Sequence, residues 1–254
     1  MIQGFYTAGS GLMAQQTHLD TIAHNLANLN TTGYKGLSPR FGELLYTTLE
    51  KPGGGDQNVN LQNGTGVRVN AMARSFQQGP LEETHRSLDI AIEGDGFFTV
   101  LDRYNDEVQY TRDGSFQLSV EEDGVFLVTS RGDYVLDMDG NPIVLEERAD
   151  FTVDSSGAIF VDDEDTGLSL GLVRFENPHG LEALGENRYR WTEACGAIMP
   201  TDTGSVKQGF LERSNVDLIR EMTRMIQAQR NYQLSARALR TADEMEAMAN
   251  NLRA

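Results

Sequence analysis

The residues of this chain best suited to chemistry are its histidines, its one cysteine and its aspartate-rich loops, and their spacing argues against catalysis. His18 and His24 stand six apart in a stretch of helical periodicity, so they point in different directions and suit a shared metal ion poorly; His85 and His179 are remote from both. Asp137, Asp139 and Asn141 resemble part of a calcium loop but lack its ligand order and closing glutamate, and a hairpin turn accounts for them. Asp162, Asp163, Glu164 and Asp165 read as a solvated acidic loop. Gly94-Asp95-Gly96 lacks the third glycine and following helix of a dinucleotide site. Cys195 has no partner for an internal disulfide. The expectation is a protein that is not an enzyme, with no catalytic residues, no cofactor, no metal and no small-molecule substrate.

The elements around these residues have a clear plan. Phe5, Ala8, Leu12, Gln15, Leu19, Ile22, Leu26 and Leu29 follow at alternating steps of three and four, which makes a continuous stripe on a helix. Near the other end Leu218, Met222, Met225, Gln229, Tyr232, Ala236, Leu239, Ala242, Met245, Ala249 and Leu252 do nearly the same. Gly33 suits the left-handed position past the first helix, and Ser214 is expected to cap the second, with Asp217 facing the free amides of its first turn. Two such stripes are expected to pack as a coiled coil, as an intramolecular pair or shared between subunits.

Charge divides the chain at the same places. Residues 1–45 are neutral and residues 206–254 carry +2, so of the net −17 the middle holds −19. That acidity leaves no basic patch to track phosphates, which excludes nucleic acid as a partner. No apolar run approaches the roughly 20 residues a bilayer span requires. The start of the chain lacks the basic, apolar and cleavage regions of a secretory signal, so by ordinary criteria it is expected to remain in the cytosol.

Between the helices the punctuation is that of a β-domain. Val67–Val69, Phe97–Leu101, Val125–Thr129 and Tyr134–Leu136 are rich in β-branched and aromatic residues. Asp95-Gly96, Asp113-Gly114, Asp123-Gly124, Gly132-Asp133, Asp139-Gly140 and Ser156-Gly157 separate them with hairpin-turn pairs. The fold class is α+β: a discontinuous helical domain over 1–45 and 206–254, an extended connector over 46–66, and an antiparallel all-β domain over 67–205 forming a partial barrel.

The stretch Ser10-Gly11-Leu12-Met13-Ala14-Gln15-Gln16, with Leu19-Asp20 and then Ala23 to Lys35, resembles the N-terminal signature of the bacterial flagellar rod and hook proteins; within it Asn25, Asn28, Thr32, Gly33, Tyr34 and Lys35 are the family's signature positions. Ile92 to Phe98, Tyr110 to Phe116 and Val206 to Asp217 resemble the same family, and Phe41 to Tyr46 with Gly64 to Val67 are most similar to its distal rod members. The resemblance implies a structural subunit that polymerises helically into a hollow shaft. Its terminal helices, through the two stripes, would line the tube, and its β-domain would form an outer layer. It implies itself, other rod proteins and the hook protein as partners, together with ring bushings where the cell has an outer membrane. It also implies export through the flagellar type III apparatus, with Phe41 and Leu45 matching the aromatic-then-aliphatic pair that early substrates show to its gate, or else forming a buried pair. The rivals are a proximal rod or hook-type subunit and, further off, an extracytoplasmic carbohydrate-binding or enzymatic β-domain, which would be a monomer with a concave polar pocket.

Overall fold

A computed structural model describes residues 2–48, 62–121, 124–145, 151–161, 164–200 and 205–252. The chain forms two compact units. One comprises Met1–Ala27, Leu37–Arg74 and Asp217–Ala254, the other Asn28–Gly36 and Ser75–Val216.

The first unit holds both long helices, α1 (Ile2–Ala27) and α2 (Leu218–Asn251). They pack on one another antiparallel: Phe5 and Tyr6 lie across from Ala247 and Asn250, and His18 lies beside Glu221 and Arg224. A hairpin of Leu37–Glu43 with Val67–Arg74 lies against α1, bulged at Arg40 and Phe41. Asn25 sets that contact. Its buried amide donates to the Leu37 carbonyl at 2.8 Å while its oxygen accepts from the Leu37 N–H at 2.9 Å, so one side chain satisfies both polar groups of a strand residue. Helix α2 begins at Leu218 with Asp217 as its cap, accepting from the N–H groups of Ile219 and Arg220 at 2.9 and 3.2 Å. Ser214 is therefore not the cap, because its hydroxyl is taken by the nearby Val216 N–H.

The second unit is an antiparallel β structure around a ten-stranded sheet. Its main path runs Val144–Leu145, Gly124–Val128, Tyr134–Val135, Phe97–Leu101, Val108–Thr111, Arg188–Arg190 and Glu182–Gly185, and it does not close on itself. The central strand Phe97–Leu101 is buried on both faces. Phe98 and Val100 enter a large aliphatic core with Ile90, Phe116 and Leu127, while Phe97 on the other face joins Tyr110, Phe175, Tyr189 and Cys195. Asp139-Gly140 and Ser156-Gly157 close turns, Gly140 donating its N–H to the Asp137 carbonyl at 3.2 Å and Gly157 to the Asp154 carbonyl at 2.9 Å. Asp137 Oδ1 accepts from the N–H groups of Asp139 and Asn141 at 2.9 and 2.8 Å, which holds the turn in shape. Asp123, Asp162 and Asp163 lie outside the described residues, as does connector stretch 49–61.

Val67–Arg74 belongs to the helical unit, because its partner is Leu37–Glu43 and not a strand of the sheet. Conversely Asn28–Gly36 leaves the helical unit for the β unit. Helix α1 stops at Ala27, ahead of the end of the apolar stripe, since residues 28–36 are held by partners in the sheet unit.

Candidate functional site

Where the chain enters the β unit and where it leaves, the two segments run side by side. Phe210–Glu212 pairs with Leu81–Glu83, and Ser205–Gln208 with Ile90–Glu93. Onto this double track folds Asn28–Gly36. Gly33, at φ 66°, donates its N–H to the Glu212 carbonyl at 2.7 Å, and a Cβ there would press on the backbone of Arg112 and Asp113. The Thr32 hydroxyl donates to Asp113 at 2.9 Å, and the Thr32 carbonyl accepts from the Asn187 amide at 2.6 Å. Asn28 accepts from the Thr31 hydroxyl, and Tyr34 is buried.

Lys35 lies at the centre of this junction. Its side chain is 0% exposed, and its Nζ donates to Glu212 Oε1 at 2.6 Å and to the Gln77 carbonyl at 2.8 Å. The same Glu212 oxygen accepts from the Gly79 N–H at 2.8 Å, while its Oε2 accepts from Arg112 Nη1 at 3.1 Å. Arg112 also donates to the Gly94 carbonyl at 2.9 Å and stands over the Phe97 ring. Burial, the largest influence, pushes the Lys35 ammonium below the usual lysine range; Glu212 pulls it back and the Arg112 charge adds to the push. Asn215 completes the set, taking the Gly36 N–H at 2.8 Å and giving both amide protons to the carbonyls of Ser75 and Gln77. Of these, Arg112, Glu212 and Asn215 were not singled out in sequence, although each lies in a stretch quoted for the resemblance. Their signal was a charge or amide in two short, distant motifs, Tyr110–Phe116 and Val206–Asp217.

The helix stripes are placed differently. On α1, Ile22 is buried, Ala8, Leu12, Leu19, Leu26 and Leu29 are half-buried, and Phe5 is exposed. On α2 the line turned inward passes through Glu221, Met225, Ala228, Leu239, Ala242 and Ala249. Leu218, Met222, Tyr232, Met245 and Leu252 are exposed, Leu252 to 90%, and so are Ile219, Ile226, Leu234 and Met248, which were not part of the stripe read from sequence. These side chains leave the solvent-facing side of α2 with several exposed large apolar groups in the single chain. Phe41 packs edge-on against His18, with ring centroids 5.7 Å apart, and Leu45 is 88% exposed, so the two do not form a buried pair. His18 is pulled below its ordinary value by burial and by Arg224, against Glu221.

A polar hollow of about 380 Å³ in the β unit lies beside Thr31, Asp133 and Arg188. Around it Arg188 meets Asp102 and Asp133 at 3.5 Å and Arg131 meets Glu186 at 3.2 Å, while burial, the largest influence, pushes the Asp133 carboxyl above its usual range.

Three family models match the chain: "Flagella basal body rod protein" over residues 5–35, "Flagellar hook protein FlgE/F/G D1 domain" over 91–161, and "Flagellar basal body rod FlgEFG protein C-terminal" over 207–252. The flagellar basal-body rod protein FlgG of Borreliella burgdorferi is 38% identical, the alignment covering 100% of this chain and 99% of that one. The chain belongs to the flagellar basal-body rod protein family. The FlgG proteins of Buchnera aphidicola from Schizaphis graminum and of Caulobacter vibrioides are 36% and 34% identical, covering 96% and 99% of this rod protein and 97% and 100% of their own lengths. Membership makes it a structural subunit of the rod, located in the flagellar basal body, and the proximal, hook-type and carbohydrate-binding alternatives are not favoured. The three matched regions contribute Lys35, Arg112 and Glu212 to one buried cluster.

Removing Glu212 strands two cations at once, whereas removing Lys35 leaves the carboxylate with Arg112 and the Gly79 N–H. Glu212→Ala is therefore expected to cost about 3–5 kcal/mol in urea unfolding, and Lys35→Met clearly less. Equal losses, or a loss below about 1 kcal/mol for Glu212→Ala, would contradict this role.

Proposed function

We propose that this rod subunit polymerises helically into a hollow shaft, with α1 and α2 as its inner, coiled-coil layer and the β unit as its outer one. The observation that carries the reading is the outward side of α2, where Ile219, Met222, Ile226, Leu234 and Met248 are exposed in the single chain. Burying such side chains is worth about 1.5–3 kcal/mol each, and a rod repeats the contact in every subunit. The assembly seams are Phe5, Ala8, Leu12, Leu19, Ile22, Leu26 and Leu29 on α1 and Leu218, Met222, Met225, Tyr232, Leu239, Met245 and Leu252 on α2. Residues 1–45 and 206–254 act as the tube-forming part, 46–66 as the connector, and 67–205 as the outer part with a partial-barrel sheet, except that Val67–Arg74 stays with the helices and Asn28–Gly36 and residues 206–216 with the sheet. The distal rod is the position favoured by the kinship with FlgG proteins. Its partners are further copies of itself, other rod proteins and the hook protein, and ring bushings where the envelope includes an outer membrane. The subunit leaves the cell through the type III export gate, which reads Phe41 and Leu45; the exposure of Leu45 supports that assignment.

Met222→Asp places a charge on the exposed side of α2, where the lone subunit loses little. The thermal midpoint of the monomer should stay within about 2 °C of wild type, while tubes seen by electron microscopy at high protein concentration disappear. Tubes of normal abundance would refute the shaft. For export, Phe41→Ala with Leu45→Ala should leave the protein inside the cell although the purified variant folds, and normal amounts outside would remove these residues from the gate.

A further inference from the structure

We propose that the face of α2 turned away from α1 carries a self-complementary charge register, in which Glu244 of one copy seats against Arg230 and Arg237 of a second, parallel and axially displaced copy of this chain. The proposal rests on the rod-subunit reading and adds to it how neighbouring subunits are set along the axis.

At about 100° per residue, positions seven apart fall near one line of a helix. Arg230, Arg237 and Glu244 are so spaced, and all three are exposed. The line opposite them runs through Glu221, Ala228 and Leu239, the side that α2 turns inward. The outer line continues beyond the charges as Ile219, Thr223 and Ile226 at one end and as Met248 and Leu252 at the other, again in steps of three and four. Ile219 is 77% exposed and Met248 58%. The whole face thus reads apolar, basic, acidic, apolar, the pattern of a helix seam whose few polar positions set register at some cost in strength.

Nothing described in the chain satisfies those charges. Among the described residues the only ion pair made by α2 is Arg224 with Glu221 at 2.7 Å, and α1 offers Asp20 as its one carboxylate. Two parallel copies in register would set Arg230 against Arg230 and Glu244 against Glu244, each a like-charge contact. A displacement between one and two heptads, on the order of 15–20 Å, seats the carboxylate among the neighbour's guanidiniums instead, whereas a single heptad would still set Arg237 against Arg230. An antiparallel pair centred on Arg237 would close after two copies and leave Arg237 facing itself. The parallel, displaced contact is heterologous and leaves the same surface free for the next copy, as an open helical polymer requires.

The test uses the full-length protein and its critical concentration for polymerisation as a function of sodium chloride. Wild type should polymerise less readily as salt rises, since exposed pairs are screened over about 8 Å at physiological ionic strength. Glu244→Arg, and separately Arg230→Glu with Arg237→Glu, should each raise the critical concentration roughly tenfold or more, about 1.4 kcal/mol per contact. Combining all three substitutions should restore it to within about threefold of wild type while the circular dichroism melt of the monomer stays unchanged. Should Glu244→Arg lose helix content, Arg230→Gln with Arg237→Gln, which adds no repulsion, must abolish the salt dependence. Polymer indifferent to these charges, no recovery in the combined variant, or an assembly that stops at dimers would overturn the register alone. A wild-type chain that forms no polymer at any salt would overturn both the register and the rod reading.

Discussion

One buried carboxylate organises the β unit. Glu212 accepts from Lys35, Arg112 and the Gly79 N–H, and so ties together the segment after the first helix, the sheet and the strand leading to the second helix. A buried ion cluster of this kind is a poor source of net stability, since desolvation of three charges offsets much of their attraction. Its effect is specificity. Any arrangement of residues 28–36 that withdraws Lys35 leaves Glu212 short of a partner in the interior, and any shift of Arg112 frees the Gly94 carbonyl as well. The backbone around the cluster shows the same economy, with Asn215 satisfying polar groups at Gly36, Ser75 and Gln77 and Gly33 present where no side chain fits.

The helical unit is built on the opposite principle. Its internal contacts use small or half-buried residues such as Ala14, Ala228 and Ala242 beside the buried Ile22, and α2 exposes many bulky apolar side chains, among them Ile219, Met222, Ile226 and Met248. A subunit whose β unit is locked by ions and whose helices are left partly wet fits a structural member of a rod. The proposed polymer would supply the burial that the single helix pair lacks, and the proposed charge register would set the spacing.

Much of this was legible in the residues. The two helices announced themselves through three-and-four spacing, and the antiparallel β character through aspartate-glycine turns, because both signals are local. The phase of α2 was less legible. The helix is apolar on two sides, so a line through Leu218, Met222 and Leu252 could be drawn as readily as the one that faces inward through Glu221, Ala228 and Leu239, and arginines at 230 and 237 disguised the outer stripe. The cap moved from Ser214 to Asp217 because a neighbouring amide competed for the serine. Strand Val67–Arg74 was seen in part but its pairing was not, since its partner lies about 30 residues back at Leu37–Glu43 and pairing at such range leaves no local mark. The burial of Lys35 was invisible for the same reason. A lysine reads as solvated until its carboxylate, 177 positions away, is known.

Hydrogen–deuterium exchange, compared between monomer and polymer, tests the central claim most directly, because it reports the two units separately. Amides of residues 28–36 should be strongly protected in both states, held by the Glu212 cluster, whereas amides of residues 218–252 should exchange readily in the monomer and become protected on assembly. Equal protection of α2 in both states, or loss of protection at residues 28–36 in the monomer, would contradict the account.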